Sequence, residues 1–224
     1  MPRSRPAVTI KMRVDIWSDI VCPWCYLGKR RFEKALAAFE GSDEVRIAHR
    51  SFQLDPTRVK GETPSRRAML QSKYRLSEEQ VRTMDLKMEQ MAAAEGLEYH
   101  LTDAGLTGNT LDAHQLVHLA ATHGREDEMI ERLYKAYFTE QRSVFDIDSL
   151  QALATDEGLA AAEVREALEG GRYVDDVRRD LNEARSLGVT GVPFFVIDGR
   201  YGISGAQATD VFSRALIMAA DSRS

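Results

Sequence analysis

The sequence predicts an α/β protein: a β-α-β unit and a β-β-α unit separated by a large all-helical insertion. Three observations carry this reading. β-Forming runs are confined to the two ends of the chain, at residues 14–18 and 45–53 and again at 194–197 and 201–204. Between them, residues 57–187 follow helical periodicity almost throughout. Asp198-Gly199, between the last two runs, is a strong hairpin signal, because a type I′ turn needs two residues that tolerate positive φ. At 224 residues the chain is long enough to bury roughly 70% of the surface its unfolded form exposes. Its two cysteines are therefore not needed as a structural staple.

The elements follow in order. Residues 1–12 read as a flexible tail. Val14, Ile16 and Trp17 are β-formers. Pro23 opens a helix running to about Phe39, since its missing N–H would be unpaired at a first helical position anyway. Phe32, Leu36 and Phe39 give that helix an apolar face, and Gly41-Ser42 ends it. The strands on either side should lie parallel. Ser77 with Gln80 three residues later makes a capping box for a helix bearing Val81, Met84, Met88 and Met91 and ending at Gly96. Asn109 is the expected cap of a helix reaching His123-Gly124. Met129, Leu133 and Tyr137 mark the next, and Asp148 is the expected cap of one that stops at Gly158. Val164 with Leu168, then Val174 with Val177, Leu181 and Ala184, mark two more, closed by Gly170-Gly171 and Gly188. A last helix spans 208–218. The chain thus divides into an α/β domain, 13–56 with 188–224, and an inserted helical domain, 57–187.

Composition narrows the function. Thirty Lys and Arg stand against 35 Asp and Glu, a net charge of −5, which is the wrong sign for sequence-independent nucleic-acid binding. No stretch approaches the roughly 20 apolar residues of a membrane span. Arg3, Arg5, Lys11 and Arg13 lie in an N-terminal stretch with no apolar run, unlike a secretory signal. The expected compartment is the cytoplasm, where thiols are kept reduced. Two lone cysteines there point to chemistry.

Cys22-Pro23-Trp24-Cys25 follows a strand and opens a helix, the context in which a C-x-x-C pair is redox-active. The unpaired N–H groups and dipole of a helix N-terminus favour an anion, and a thiolate is one. Cys22, outermost, is the expected nucleophile. Cys25, one turn further in, is placed to resolve a mixed disulfide on Cys22. Thr190-Gly191-Val192-Pro193 before the third strand has the look of a cis-proline turn. It would bring the Val192 backbone beside Cys22 and let an extended substrate segment pair there. The bland alternative is a trans proline starting a strand.

Together, Cys22-Pro23-Trp24-Cys25-Tyr26-Leu27-Gly28, the helical insertion and Gly191-Val192-Pro193-Phe194-Phe195-Val196 resemble the DsbA family of thioredoxin-fold oxidoreductases. Trp17-Ser18-Asp19 and Ser204-Gly205-Ala206-Gln207 are similar to its FrnE-like cytosolic branch. The resemblance implies a thioredoxin-like fold, a redox-active Cys22/Cys25 disulfide in place of any cofactor, and a cis-Pro193. It also implies cysteine-containing protein or peptide substrates and a cellular thiol as redox partner. DsbA carries a buried acid beneath its cysteines. Asp15 is the counterpart here and the candidate proton relay, although the connector from strand to motif is one residue longer. An alternative on the same fold is a glutathione-dependent isomerase or transferase of small aromatic compounds, with glutathione as co-substrate. Such relatives generally carry Ser where Cys22 stands. A third reading is a non-catalytic module whose helical insertion binds a partner or forms a homodimer.

Several residues carry two readings. Trp24 is either packing or an exposed substrate contact. Asp19 reads as a solvated turn residue. The Met84, Met88, Met91 stripe reads as core more often than as an adaptable binding face. Lys29-Arg30-Arg31 reads as a solvated helix face. A zinc site would need ligands beyond the two cysteines. His114 and His118 have suitable i, i+4 spacing, but nothing in the sequence places them at the motif, so no metal is expected.

Overall fold

In the computed structural model, residues 12–102 and 105–223 are described. The expected tail, 1–12, lies outside them apart from Met12. Met12, Val14 and Ile16 alternate with Arg13 and Asp15, which gives β1 (Met12–Ser18) one apolar face. β1 sits inside a four-stranded sheet of order β2-β1-β3-β4, with β2 (Val45–Ser51), β3 (Phe194–Ile197) and β4 (Tyr201–Ser204). It runs parallel to β2, with Val14 opposite Ile47, and antiparallel to β3, with Ile16 opposite Phe195. The predicted hairpin joins β3 to β4: Asp198 (φ 54°) and Gly199 (φ 65°) both take positive φ, and the Arg200 N–H donates to the Ile197 carbonyl at 3.0 Å.

α1 (Pro23–Ala37) and α9 (Thr209–Asp221) cover one face of the sheet. Phe32, Phe195 and Phe212, none of them exposed, meet there with ring centroids 5.5, 5.7 and 4.7 Å apart. The other face takes α8 (Val174–Ser186), although helical pattern alone had grouped that segment with the insert. Trp17 packs beside Ala184, Val189 and Val196 and donates its indole N–H to the Asp180 carbonyl at 3.0 Å.

The helical body comprises α2 (Arg66–Tyr74), α3 (Glu78–Ala94), α4 (Leu111–Thr122), α5 (Glu126–Phe138), α6 (Ile147–Asp156) and α7 (Ala161–Glu169). α3 opens on the predicted capping box: Gln80 N–H to Ser77 Oγ at 3.2 Å, and Ser77 N–H back to Gln80 Oε1 at 2.7 Å. Two caps differ from expectation. Thr110 is the N-cap of α4, while Asn109, just outside, accepts the Leu111 N–H at 2.8 Å. Asp146, not Asp148, caps α6 by accepting the Ser149 N–H at 2.8 Å. Three residues separate 146 from 149, the reach that a capping carboxylate needs. The core of this body, around Leu116, Leu119, Leu133 and Leu153, continues without a break into Ile20, Cys22, Cys25 and Leu27. The start of α1 is therefore where sheet and helical body meet.

Candidate active site at the start of α1

Cys22 is the N-cap of α1, with extended backbone (φ −92°, ψ 109°), and no acidic side chain stands in the helix's first turn. The end of the helix thus presents its partial positive charge to the Cys22 sulfur, undiminished by α1's own side chains. Cys25, in that first turn, is in hydrogen-bond contact with Cys22. Both are free thiols and both are buried, at 4% and 2% exposure. Burial pushes the Cys25 thiol well above its ordinary pKa. The hydrogen bond to Cys22 and the charge there push the same way, against a smaller pull from the Asp19 main chain. Cys25 is thus kept protonated.

The second half of the site arrives from far along the chain. Cys22 Sγ donates to the Val192 carbonyl at 3.6 Å, across 170 positions, and the Val192–Pro193 peptide bond is cis. The pyrrolidine ring lies over Gly28. A Cβ on Gly28 would fall 2.9 Å from Pro193 Cγ and 3.4 Å from Ala206. A glycine at this point of the helix is what lets the proline strand approach α1 so closely. Trp24, 43% exposed, stands on the rim.

Residues 13–217 match the DSBA-like thioredoxin domain. The chain belongs to that family. It is 49% identical to a probable DsbA oxidoreductase from Streptomyces coelicolor, covering 96% of this chain and 92% of that one at a TM-score of 0.91. The uncharacterized protein YwbO of Bacillus subtilis (strain 168) is 31% identical over 206 residues, 92% of this chain and 96% of that protein. A 2-hydroxychromene-2-carboxylate isomerase shares the fold at 15% identity and a TM-score of 0.65, covering 94% and 96% of the two chains.

Within this DsbA-like fold the acid beside the cysteines is not the one expected. Asp15 faces the α8 side of the sheet, where its Oδ1 accepts from Arg13 Nη2 and Arg50 Nε at 2.8 Å each. Arg50 also reaches Asp180, on α8, at 3.2 Å. Asp19 instead stands at the motif. Its carbonyl accepts the Cys22 N–H at 3.1 Å. Its carboxylate, 1% exposed as a residue, takes the Leu54 N–H at 2.8 Å and lies 3.3 Å from His114 Nε2. It is no solvated turn residue. His114 and His118 share one helix but serve different acids, Asp19 and Asp180 respectively. Among the described residues, no cluster of three or more His, Cys, Asp or Glu side chains is arranged to hold a metal ion. The Asp19–His114 pair escaped sequence reasoning because 95 positions separate its members. The burial of His114 amid an apolar run was the only hint.

Below Cys25 lies an aromatic floor. Tyr26 stacks on Tyr134 and Tyr99 with centroids 4.9 and 5.8 Å away, and Tyr99 on Phe138 at 4.9 Å. Tyr99 donates its hydroxyl to the Pro23 carbonyl, inside the motif, at 2.8 Å. Burial pushes the Tyr26, Tyr99 and Tyr134 hydroxyls up, so they stay neutral. Lys29, expected on a solvated face, is 4% exposed and paired with Glu33, Asp127 and Glu131. Arg30 joins Glu131 at 2.6 Å, and Arg31 reaches Glu95 at 2.7 Å. These ion pairs bolt α1 to α5 and to the end of α3.

Above Cys22 opens a groove of about 470 Å³, bordered by Asp19, Cys22, Trp24, Val192 and residues of α2 and α3. The methionine stripe divides here. All three line the groove, but Met88, 5% exposed, belongs to the core, Met91 is half-buried against it, and Met84 is 38% exposed. The core reading of the stripe thus holds for Met88, in part for Met91 and not for Met84. A helix lying along a cleft shows one side of its apolar face to the cleft, and sequence periodicity does not separate that from burial.

Proposed function

We propose that the protein exchanges disulfides with cysteine-containing proteins or peptides through the Cys22/Cys25 couple, with no bound cofactor. The observation that carries this reading is the division of the pair: two free thiols in contact at a helix N-terminus, of which Cys22 lines the groove and Cys25 does not. In the reducing direction, the Cys22 thiolate attacks one sulfur of a substrate disulfide. A Cys22–substrate disulfide forms and the other substrate sulfur leaves as a thiolate that takes a proton from water. Cys25 then attacks Cys22, and the proton it releases is balanced by the one the second substrate sulfur takes up as it leaves. The Cys22–Cys25 disulfide forms. Two electrons pass to the substrate, and two equivalents of a cellular thiol, themselves oxidised to a disulfide, restore the pair. In the oxidising direction each step runs backwards. Val192, Pro193 and Trp24 border the attacked sulfur and hold the substrate main chain beside it. Membership of the DsbA-like family and the likeness to a probable DsbA oxidoreductase at 49% identity support the same reading. Trp17-Ser18-Asp19 and Ser204-Gly205-Ala206-Gln207 favour a cytoplasmic, FrnE-like member.

Insulin reduction and reactivation of scrambled ribonuclease test it. Cys22→Ser is expected to lose both activities, and Cys25→Ser to accumulate mixed disulfides with substrate. Wild-type turnover by Cys22→Ser would overturn the reading. The isomerase alternative leaves Cys25 without a part to play, and likeness to the chromene isomerase at 15% identity concerns the fold alone.

A further inference from the structure

The groove above Cys22 combines two properties. Its walls are apolar and adaptable: Met69 from α2, Met84, Met88 and Met91 from α3, and Leu54 from the loop after β2. Ten large hydrophobic side chains are exposed among the described residues, and four of them, Trp24, Leu54, Tyr74 and Met84, border this one cleft. Apolar exposure gathered in one place marks a binding surface, and thioethers reshape themselves around varied side chains.

The second property is charge. Four basic residues line the groove (Arg58, Arg66, Lys73, Lys87) against three acids (Asp19, Asp55, Asp85), in a chain whose net charge is −5. Every one of those acids is already engaged: Asp19 with His114 at 3.3 Å, Asp55 with Arg58 at 3.1 Å, Asp85 with Arg66 at 2.8 Å. Neither Lys73 nor Lys87 is in a close ion pair among the described residues, although the Lys73 charge helps to lower the Asp55 pKa. Lys73 lies over the Tyr74 ring, 5.7 Å from its centroid. Two exposed cations without a close ion pair thus stand on an apolar cleft that ends at Cys22.

We infer that this groove selects substrate peptides whose residues beside the reacting cysteine are apolar and acidic, with Lys73 and Lys87 as the specificity-determining residues. The inference rests on the disulfide-exchange reading above. The apolar side chains fill the methionine-lined wall, and the acidic ones pair with the two lysines. Glutathione offers carboxylates but almost no apolar side-chain surface, so it leaves the wall empty. A peptide rich in lysine places like charges against Lys73 and Lys87.

Three disulfide substrates distinguish the outcomes: a Cys-containing peptide disulfide flanked by Leu, Met and two Glu; the same peptide with the two Glu replaced by Lys; and oxidised glutathione. The rate constant for each is read from single-turnover reduction by the reduced protein at low salt. The acidic peptide is expected to react several-fold faster than its lysine twin, with a ceiling of about thirtyfold for two exposed ion pairs of at most about 1 kcal/mol each. The preference should shrink as salt screens the charges. The Lys73→Glu/Lys87→Glu variant should reverse the order of the two peptides. No charge preference in the wild type, an unchanged preference in the double variant, or glutathione disulfide reacting as fast as the acidic peptide would each overturn the inference. Failure of the wild type to reduce any of the three would overturn the exchange reading instead.

Discussion

Cys25 shares its core with Tyr26, Tyr134 and Phe138, and behind them α1 is bolted to α5 by Lys29, Asp127 and Glu131. Cys22, three residues earlier, borders a cleft whose other wall is α2 and α3. One helix end laid across the junction of two cores thus sets one buried sulfur at the edge of the cleft and turns the other away from it. The closed side keeps the Cys25 thiol protonated, and the open side is where the proposed exchange would meet its substrate. The same four-residue turn achieves both because its first residue caps the helix and its last lies in the helix's first turn, on the side packed against the core.

The largest break expected is on the open side. Arg66 and Asp85 form a bidentate pair at 3.0 and 2.8 Å, and both are buried, with Asp85 2% exposed. This pair ties α2 to α3. Asp85→Ala strands a buried guanidinium and should lower unfolding free energy by about 3–5 kcal/mol in urea titration. A loss below about 1 kcal/mol, within the range of surface pairs, would show that the groove wall stands without it.

Acid should loosen the closed side. Burial alone would raise the pKa of Asp127 and Glu131, but His49 and Lys29 hold Asp127 well below the usual carboxylate range, and Lys29, Tyr26 and Arg30 lower Glu131. A carboxylate whose folded pKa is depressed adds stability in full above its unfolded pKa of about 4 and loses it as pH falls through the folded value. Glu126 runs the other way: burial raises its pKa, so its term favours the fold at lower pH. The depressed acids outnumber it, and thermal melts should show stability falling as pH drops below about 4. A Glu131→Gln variant should show a shallower fall, and an identical pH profile would remove Glu131 from the lock.

Gly28→Ala tests the contact between α1 and the proline strand. A Cβ at 2.9 Å from Pro193 Cγ meets a ring with little freedom to move. A cost of about 1–3 kcal/mol is expected from overpacking, together with slower reaction at Cys22 because Val192 shifts with its neighbour. Unchanged stability and rate would mean the strand yields freely.

The smallest effect belongs to Tyr99→Phe. It removes the hydroxyl bond to the Pro23 carbonyl at 2.8 Å but keeps the ring stack. About 0.5–1.5 kcal/mol is expected for one hydrogen bond, visible as a lower urea midpoint. A greater loss would show that the insertion holds the motif more tightly than its contacts imply.

Much of this architecture was legible from local signals. The β1–α1–β2 order, the Ser77/Gln80 capping box, the Asp198-Gly199 turn and the cysteine pair at a helix start each depend on residues close in sequence. Such signals act through propensity and hydrogen bonds within one turn. The cap of α6 shows the limit of that reach: Asp146 and Asp148 are both good caps by type, and only the register of the helix chose between them.

Most of what joins distant segments was decided in three dimensions. Periodicity shows that a face is apolar but not what covers it, so it gave no place on the sheet to α8 and no reason to split the methionine stripe. Residue type shows that Lys29 carries charge but not that it is buried against α5, where Asp127 and Glu131 meet it from the solvent side. Asp19 and His114 meet across 95 positions with no signal of it in the sequence, whereas the approach of Val192 to Cys22 across 170 was expected from the proline turn. By itself the sequence determined the elements, their order and the place of the cysteine pair at a helix start, because those follow from neighbours along the chain. The tertiary structure alone decided what surrounds that pair, the aromatic floor under Cys25 and the methionine-lined cleft at Cys22, because such packing joins segments that share no local signal.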